Sequence, residues 1–86
     1  MISKETKLKF LSLNVRGIRS NFKRNKVFKW LEDSNADVVF LQETYSSDDI
    51  TNLWSSQWKG DMVFSHGSRH SCGVTVLFKD GLNYTI

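Results

Sequence analysis

The stretch ADVVFLQETY, residues 36–45, decides the fold that this sequence predicts. It opens with a near-continuous apolar run, which is typical of a parallel β-strand covered on both faces, so we predict a strand over residues 37–43. The run ends in an amide and a carboxylate, Gln42 and Glu43, where the strand leaves the core. Because an unpaired carboxylate is costly in a low dielectric, we expect Glu43 to meet a basic side chain, solvent or a metal ion.

The residues before this stretch predict a second strand and a helix. KFLSLNV, residues 9–15, alternates and predicts a strand with Leu11 and Leu13 on one face. A turn-rich loop over residues 16–21 precedes an amphipathic helix over residues 22–34, for which Ser20 or Asn21 provides the N-cap. Strand, helix and strand form a βαβ unit, whose crossover is expected to be right-handed.

The predicted helix has one apolar and one basic face. We expect Val27 and Leu31, with Phe28 and Trp30 beside them, to pack against the sheet. The basic side chains that fill most of the remaining surface are Lys23, Arg24, Lys26 and Lys29.

The second half of the chain predicts a short helix and a hairpin. The segment SSDD, residues 46–49, caps a helix near residues 48–57, in which Trp54 and the following Trp58 are expected to enter the core. Strands near residues 61–65 and 73–79 pair as an antiparallel hairpin, a turn follows at Asp80-Gly81, and residues 83–86 begin another strand.

These elements predict an α/β fold that is incomplete. A parallel pair and one hairpin leave open sheet edges, so we expect residues 1–86 to form the N-terminal part of one larger domain. Residues 1–6 are expected to be flexible.

Composition bounds the cellular context. The chain has 86 residues, one cysteine and no proline. Cys72 has no partner for an intrachain disulfide, which favours a reducing compartment. The polar start, residues 1–7, lacks the apolar region of a signal peptide, and no stretch is long enough to span a bilayer. We therefore expect an intracellular protein of the nucleus or cytoplasm, neither secreted nor bound to a membrane.

The charge distribution is asymmetric. The formal charge is +3, and nine of the 12 basic residues lie between Lys4 and Lys29, with Glu5 as the single acid there. A basic N-terminal third fits a polyanionic partner. A solvated helix face with lysines that maintain solubility explains the same pattern.

Asn14 and Glu43 occupy equivalent places in the βαβ unit. Each follows or ends a strand, and neighbouring parallel strands lie about 4.8 Å apart with their carboxyl ends on one edge, so the two side chains can converge. Mg²⁺ and Mn²⁺ prefer such oxygen ligands. The alternative is that Asn14 caps a turn and Glu43 pairs with Arg16 or Arg19, because one carboxylate is a weak metal signature.

Three stretches in register resemble a known family. LKFLSLNVRGI (8–18), ADVVFLQETY (36–45) and GVTVLF (73–78) are similar to the opening of the endonuclease/exonuclease/phosphatase superfamily, whose fold is the DNase I-like α/β sandwich. The likeness is nearest to the apurinic-type endonuclease domain of LINE-type (non-LTR) retrotransposons. The polar loop that precedes GVTVLF adds support. The resemblance covers nearly the whole chain but about the first third of the family's domain.

The resemblance implies Mg²⁺- or Mn²⁺-dependent cleavage of phosphodiester bonds in DNA, with no small-molecule cofactor. Glu43 matches the metal-binding glutamate of the family, and Asn14 matches an active-site asparagine. The other family residues, a Tyr, an Asp-x-Asn pair and a Ser-Asp-His segment, are expected beyond Ile86. His66 and His70 stand in the wrong place for the catalytic base. We therefore expect no nuclease activity from this chain alone.

Several interpretations remain open. Arg16 and Arg19, and separately Arg69 and His70, are candidates for contacts with DNA phosphates, or are ordinary surface charge. The chain is a fragment of a metal-dependent endonuclease domain, a non-catalytic basic nucleic-acid-binding remnant, or an inert product of a truncated gene. A phosphatase or lipid phosphodiesterase of the same superfamily shares these first motifs.

Overall fold

The computed structural model describes residues 8–67 and 72–82, and it is a mixed α/β fold. The predicted strand over residues 83–86 and the predicted flexibility of residues 1–6 lie outside these ranges. The other elements follow the predicted order. They are β1 (Phe10–Asn14), α1 (Asn21–Ser34), β2 (Val38–Gln42), a 3₁₀ turn (Asp48–Ile50) that leads into α2 (Thr51–Gln57), β3 (Asp61–Ser65) and β4 (Val74–Phe78).

The four strands form one sheet in the order β1-β2-β4-β3. β1 and β2 run parallel, with Asn14 paired to Gln42, as the βαβ prediction requires. β3 and β4 form the predicted antiparallel hairpin. β4 also pairs antiparallel with β2, a contact that the sequence did not predict. The hairpin therefore adds to the βαβ unit through its second strand, which pairs with β2 along its whole length.

Helix α1 has the caps that its sequence predicts. The Ser20 hydroxyl accepts a hydrogen bond from the Lys23 N–H and satisfies one of the free donors of the first turn. At the other end Asn35 takes a left-handed conformation, φ 57°, and its N–H donates to the carbonyl of Glu32. These two caps fix the direction in which the chain enters and leaves the helix.

The core lies between the two helices and one face of the sheet. Phe28 and Leu31 of α1 pack there with Leu41 of β2 and Leu77 of β4. Trp54 and Trp58 are buried in the same cluster, so the prediction that both tryptophans are core residues is confirmed. The edge of the Trp58 ring meets Phe28, with ring centroids 5.7 Å apart.

Three predictions about burial were wrong. Trp30 was expected in the core, but it is 56% exposed because it lies on the solvent side of α1. Arg24 was expected among the solvated basic residues, but it is 1% exposed. β2 was expected to be covered on both faces, but Phe40 is 38% exposed. Its ring stacks with that of Phe10, which is also exposed, and the two ring centroids are 6.5 Å apart. Within the described residues, the sheet therefore has one covered and one open face.

Buried Arg24 is solvated by the protein itself. Its guanidinium donates to the carbonyls of Ile18 and Arg19, both at 3.0 Å. It also donates to the side-chain oxygens of Asn21 and Gln57, both at 2.7 Å. Because burial disfavours the charged form, the pKa of Arg24 is lowered from its ordinary value.

The helices are short and carry many polar residues. In the parts of the chain that the structure describes, neither has the length and apolar character needed to cross a membrane.

Candidate functional site

The candidate site lies where β1 and β2 end on the same edge of the sheet. The Asn14 side-chain N–H donates to the carboxylate of Glu43, so the two residues are in direct contact. The Asn14 side-chain oxygen accepts from the backbone N–H of Arg16 at 3.0 Å. Both ends of the Asn14 amide are thus engaged, which orients its NH₂ group toward the carboxylate.

The backbone around this pair is strained. Arg16, Glu43 and Tyr45 have φ of 50°, 55° and 56°, in the left-handed region that side chains other than glycine rarely adopt. Such a conformation costs about 1–2 kcal/mol per residue. Hydrogen bonds that continue past the strands hold it in place: Val15 N–H donates to the Gln42 carbonyl at 3.0 Å and Gly17 N–H to the Glu43 carbonyl at 2.6 Å. Strain of this kind collects at functional sites.

The segment after Glu43 is tied to the start of β4. Tyr45 N–H donates to the Cys72 carbonyl at 2.8 Å, and Thr44 N–H donates to the Gly73 carbonyl at 3.4 Å. Thr44 is fully buried and its hydroxyl meets that of Thr75 at 3.3 Å. Glu43 and Tyr45 therefore face outward while Thr44 anchors the segment in the core.

Helix α1 holds the loop that follows Asn14. The Lys23 ammonium donates to the carbonyl of Val15 at 2.6 Å and to that of Arg16 at 3.3 Å. Arg24 holds the two carbonyls at the other end of the loop, those of Ile18 and Arg19. Two cations of the first helical turn thus position the residues beside the site.

The basic residues that were predicted to contact DNA phosphates differ in their surroundings. Arg16 is exposed beside Asn14. One nitrogen of Arg19 donates to the Tyr45 carbonyl and to the Ser47 hydroxyl, both at 3.1 Å, and so supports the segment after Glu43. Arg69 and His70 lie outside the described residues.

The alternative had two parts, and the structure supports one of them. Asn14 does cap a turn, since its side-chain oxygen accepts from the Arg16 N–H, but Glu43 does not pair with Arg16 or Arg19 in the described residues. Over residues 8–67 and 72–82, the ion pairs join Lys29 with Asp33 and His66 with Asp48. The Glu43 carboxylate is held by an amide and takes part in neither pair. Its negative charge therefore remains available to a cation.

The donor set fits a hard cation, with few protein ligands. The described residues contain no group of three or more His, Cys, Asp or Glu that could hold a metal. Mg²⁺ commonly binds through one or two carboxylates and keeps waters and substrate phosphates as its other ligands. One partly exposed carboxylate at a sheet edge, Glu43, satisfies that minimum.

The sequence from residue 11 to residue 86 matches the profile of the Endonuclease/Exonuclease/phosphatase family. The chain belongs to this family. The four-stranded sheet with its two helices is accordingly a part of the DNase I-like α/β fold, as the resemblance implied. Over 73 residues, 85% of this chain, the sequence is 37% identical to a Xenopus laevis protein described as the transposon TX1 uncharacterized 149 kDa protein. The matched region spans 6% of that protein's length.

This Endonuclease/Exonuclease/phosphatase chain carries a second polar cluster that sequence reasoning missed. The ring nitrogen Nδ1 of His66 and the hydroxyl of buried Ser46 are 2.8 Å apart. The other ring nitrogen lies 3.3 Å from a carboxylate oxygen of Asp48. The residues are 18 and 20 positions apart in the sequence, so no local pattern joins them. The cluster fastens the segment after Tyr45 to the end of β3.

Tyr45 is a further neighbour of the site that the sequence did not single out. The Cys72 thiol donates to the Tyr45 hydroxyl at 3.3 Å. The contact between these two side chains raises the pKa of Tyr45, with further contributions from burial and from the negative charge of Glu43. One feature of the sequence could have identified Tyr45. It lies two residues after Glu43, and alternate residues of an extended segment point to the same side.

Proposed function

We propose that this chain supplies the metal-ligand half of a phosphodiester-hydrolysing centre of the DNA-endonuclease type, from a retrotransposon protein. The observation that carries the proposal is the contact between the Asn14 amide and the Glu43 carboxylate at the carboxyl ends of two parallel strands. Ligands collect at such strand ends in open α/β sheets. The family match makes phosphoester chemistry the reaction class that this edge would serve.

Each of the two residues has a distinct role in this proposal. Glu43 would hold Mg²⁺ or Mn²⁺ through its carboxylate. Asn14 donates to that carboxylate and thereby fixes its orientation, because its own oxygen is already held by the Arg16 N–H. When bound, the cation supplies Lewis-acid polarisation of the scissile phosphate and neutralises charge on the leaving oxygen.

The basic residues near the pair would position DNA. Arg16 follows Asn14 closely and is exposed, and Arg19 keeps donors beyond the nitrogen that holds Tyr45 and Ser47. Arg69 and His70 are proposed as further phosphate contacts on the basis of the sequence alone. Contacts of this type set register on DNA and do not read its sequence.

Two features favour DNA over a phosphorylated small molecule or a lipid headgroup. The relative from Xenopus laevis is described as a transposon protein. Nine of the 12 basic residues lie between positions 4 and 29 of the sequence, and such a charge distribution suits a polyanion. The phosphatase and lipid-phosphodiesterase alternatives require one phosphate and gain nothing from so extended a basic region.

We also propose that the chain by itself does not turn over substrate. The described residues offer a single carboxylate to the metal, and the loss of even one transition-state donor costs about 10²–10³ in rate. We expect no nicking of supercoiled plasmid with Mg²⁺ above the level of a Glu43→Gln variant. Nicking that depends on Glu43 would refute this part of the proposal.

The metal site is tested by paramagnetic broadening. Mn²⁺ is titrated into the ¹⁵N-labelled chain, and amide signals are followed residue by residue. We expect broadening to centre on the turns after β1 and β2, around Asn14 and Glu43, and to disappear in Glu43→Gln.

The matched control is Glu32→Gln, which neutralises an exposed glutamate on α1. It should leave the broadening unchanged. Broadening that centres on Asp48 and Asp49, or that survives Glu43→Gln, would show that Glu43 is not the metal ligand.

A further inference from the structure

The outer face of α1 combines exposed aromatic rings with lysines. Phe22 is 71% exposed and Trp30 is 56% exposed, so both rings lie largely in solvent. We call this surface the α1 outer face; it is lined by Phe22, Asn25, Lys26, Lys29, Trp30 and Asp33.

These aromatic rings do not serve the core. The buried positions of the helix are Arg24, Phe28 and Leu31, which lie on its opposite side. At 100° per residue, Phe22 and Trp30 lie about two turns apart along the helix and about 80° apart around it, so both project away from its buried side. A helix face that only meets solvent usually carries polar residues at these positions. The two exposed rings are therefore available to contact a ligand.

The charges on this face are available. The Lys26 ammonium lies 4.4 Å from the centre of the Phe22 ring and keeps its other side toward solvent. Lys29 pairs with Asp33 at 3.4 Å, and both side chains are largely exposed, so the pair contributes little and can open. Lys26 and Lys29 therefore place two positive charges between the two rings.

We infer that the α1 outer face binds a short segment of single-stranded nucleic acid, with bases stacked on Phe22 and Trp30 and phosphates on Lys26 and Lys29. Alternation of cations with aromatic platforms is the arrangement by which single strands are bound without sequence preference. The surface is separate from Asn14 and Glu43 and needs no metal.

The dimensions and the chemistry favour a single strand. Eight residues at about 1.5 Å per residue separate the two rings by about 12 Å, the length of three to four stacked nucleotides at about 3.4 Å each. In a duplex the base faces are stacked against one another and closed to side chains. An acidic peptide would satisfy the lysines but offer nothing to stack on the rings. The carboxylate of Asp33 lies at the C-terminal end of the α1 outer face, beyond Lys26 and Lys29.

The test measures binding of a fluorescein-labelled ten-nucleotide oligo(dT) by anisotropy at low salt in the presence of EDTA. We expect binding that weakens at least about fivefold in Phe22→Ala and in Trp30→Ala, because stacking on one ring contributes a factor of that size or more. Leu53→Ala, which truncates another half-exposed apolar residue on α2, should bind like the unmodified chain.

Salt dependence tests the lysines. Each lost phosphate contact lowers the slope of log K against log salt by about 0.7 for a single strand, so Lys26→Gln/Lys29→Gln should lower it by about 1.4. Lys59→Gln/Lys79→Gln makes the same change in net charge at exposed positions away from this face and should leave the slope nearly unchanged.

Intrinsic fluorescence gives an independent readout. Trp54 and Trp58 are 1% and 6% exposed, so quenching by the oligonucleotide should arise from Trp30. Trp30→Phe should retain binding and lose the quenching. The inference is overturned if the chain does not retain the oligonucleotide, if the two lysine pairs have equal effects, if a duplex of the same length binds more tightly, or if a poly-glutamate peptide binds with the same dependence on Trp30.

Discussion

The guanidinium of Arg24 lies over the indole ring of Trp54, 5.2 Å from the ring centroid. Neither ion pair found in residues 8–67 and 72–82 includes it, so the buried charge is stabilised by the ring and by carbonyl and amide oxygens. Two of those oxygens belong to the loop between β1 and α1, and a third belongs to Gln57 at the end of α2. Arg24 thus joins α2 to the loop beside the candidate site.

Arg24→Lys should destabilise the chain by about 2–4 kcal/mol. A single ammonium cannot reach four acceptors in this geometry, and each buried acceptor left unsatisfied costs about 1–3 kcal/mol. The measurement is the free energy of unfolding in urea. Lys26→Met, on the outer side of the same helix, should change that free energy by no more than about 0.5 kcal/mol. Equal effects of the two substitutions would contradict the role given to Arg24.

Asn14→Asp should strengthen Mn²⁺ binding on the order of tenfold. The substitution places a second carboxylate beside that of Glu43, and the attraction of one further negative charge to a divalent cation at about 4 Å is worth one to two kcal/mol even in high dielectric. Paramagnetic relaxation of water protons during a Mn²⁺ titration measures the affinity.

Without metal, the same variant should be less stable than the unmodified chain at neutral pH, because two like charges replace a hydrogen bond. Unfolding with and without Mn²⁺ checks this reversal. An affinity unchanged by Asn14→Asp would show that the cation does not bind between these strand ends.

Gly73→Ala should be more damaging than Gly81→Ala, although both glycines have φ of 80°. Both substitutions impose left-handed strain of about 1–2 kcal/mol. A Cβ atom at position 73 would also lie 2.9 Å from the Gly67 nitrogen and 3.2 Å from the Ser65 carbonyl, whereas nothing lies within 4 Å at position 81. We expect a further loss of about 1–3 kcal/mol at position 73, measured by thermal unfolding. Equal losses would mean that strand β4 can move away from the loop at no cost.

Asp49 should titrate below its ordinary value of 3.8. A hydrogen bond from the Ser47 hydroxyl lowers the pKa of Asp49, and the positive charges of Arg19 and His66 contribute. Because the folded pKa is the lower one, the stability from this interaction is present above about pH 3.8 and is lost as the pH falls through the folded pKa. NMR titration of the side-chain carboxyl measures the shift. Ser47→Ala should move the midpoint upward, whereas Ser55→Ala on α2 should not.

Local signals carried most of the fold. Three of these signals each occupy only a few residues, and the structure confirms what each predicted. They are the alternation of Leu11 and Leu13 for β1, the apolar run that ends at Gln42 for β2, and the Ser20 cap for α1. The rule that parallel strands end on one edge then predicted that Asn14 and Glu43 would meet. The pairing of β4 with β2 has no local signal, because it joins segments more than 30 residues apart.

Burial of individual residues on α1 could not be predicted from their type. Arg24 reads as one of four basic residues on a helix, and its place in the core depends on Gln57, 33 positions away. Trp30 reads as a core residue, and its exposure depends on which side of the helix the sheet occupies. The left-handed conformation of Glu43 is likewise imposed by backbone hydrogen bonds from the neighbouring loop.

The bare side of the sheet has a practical consequence for work with this chain in solution. Phe10, Phe40, Val63 and Val74 are each more than a third exposed on that side, and no described element covers them. An exposed apolar surface of this kind binds dyes, detergents and other copies of the chain. Sedimentation at several protein concentrations should therefore accompany every affinity measurement, so that self-association is not mistaken for ligand binding.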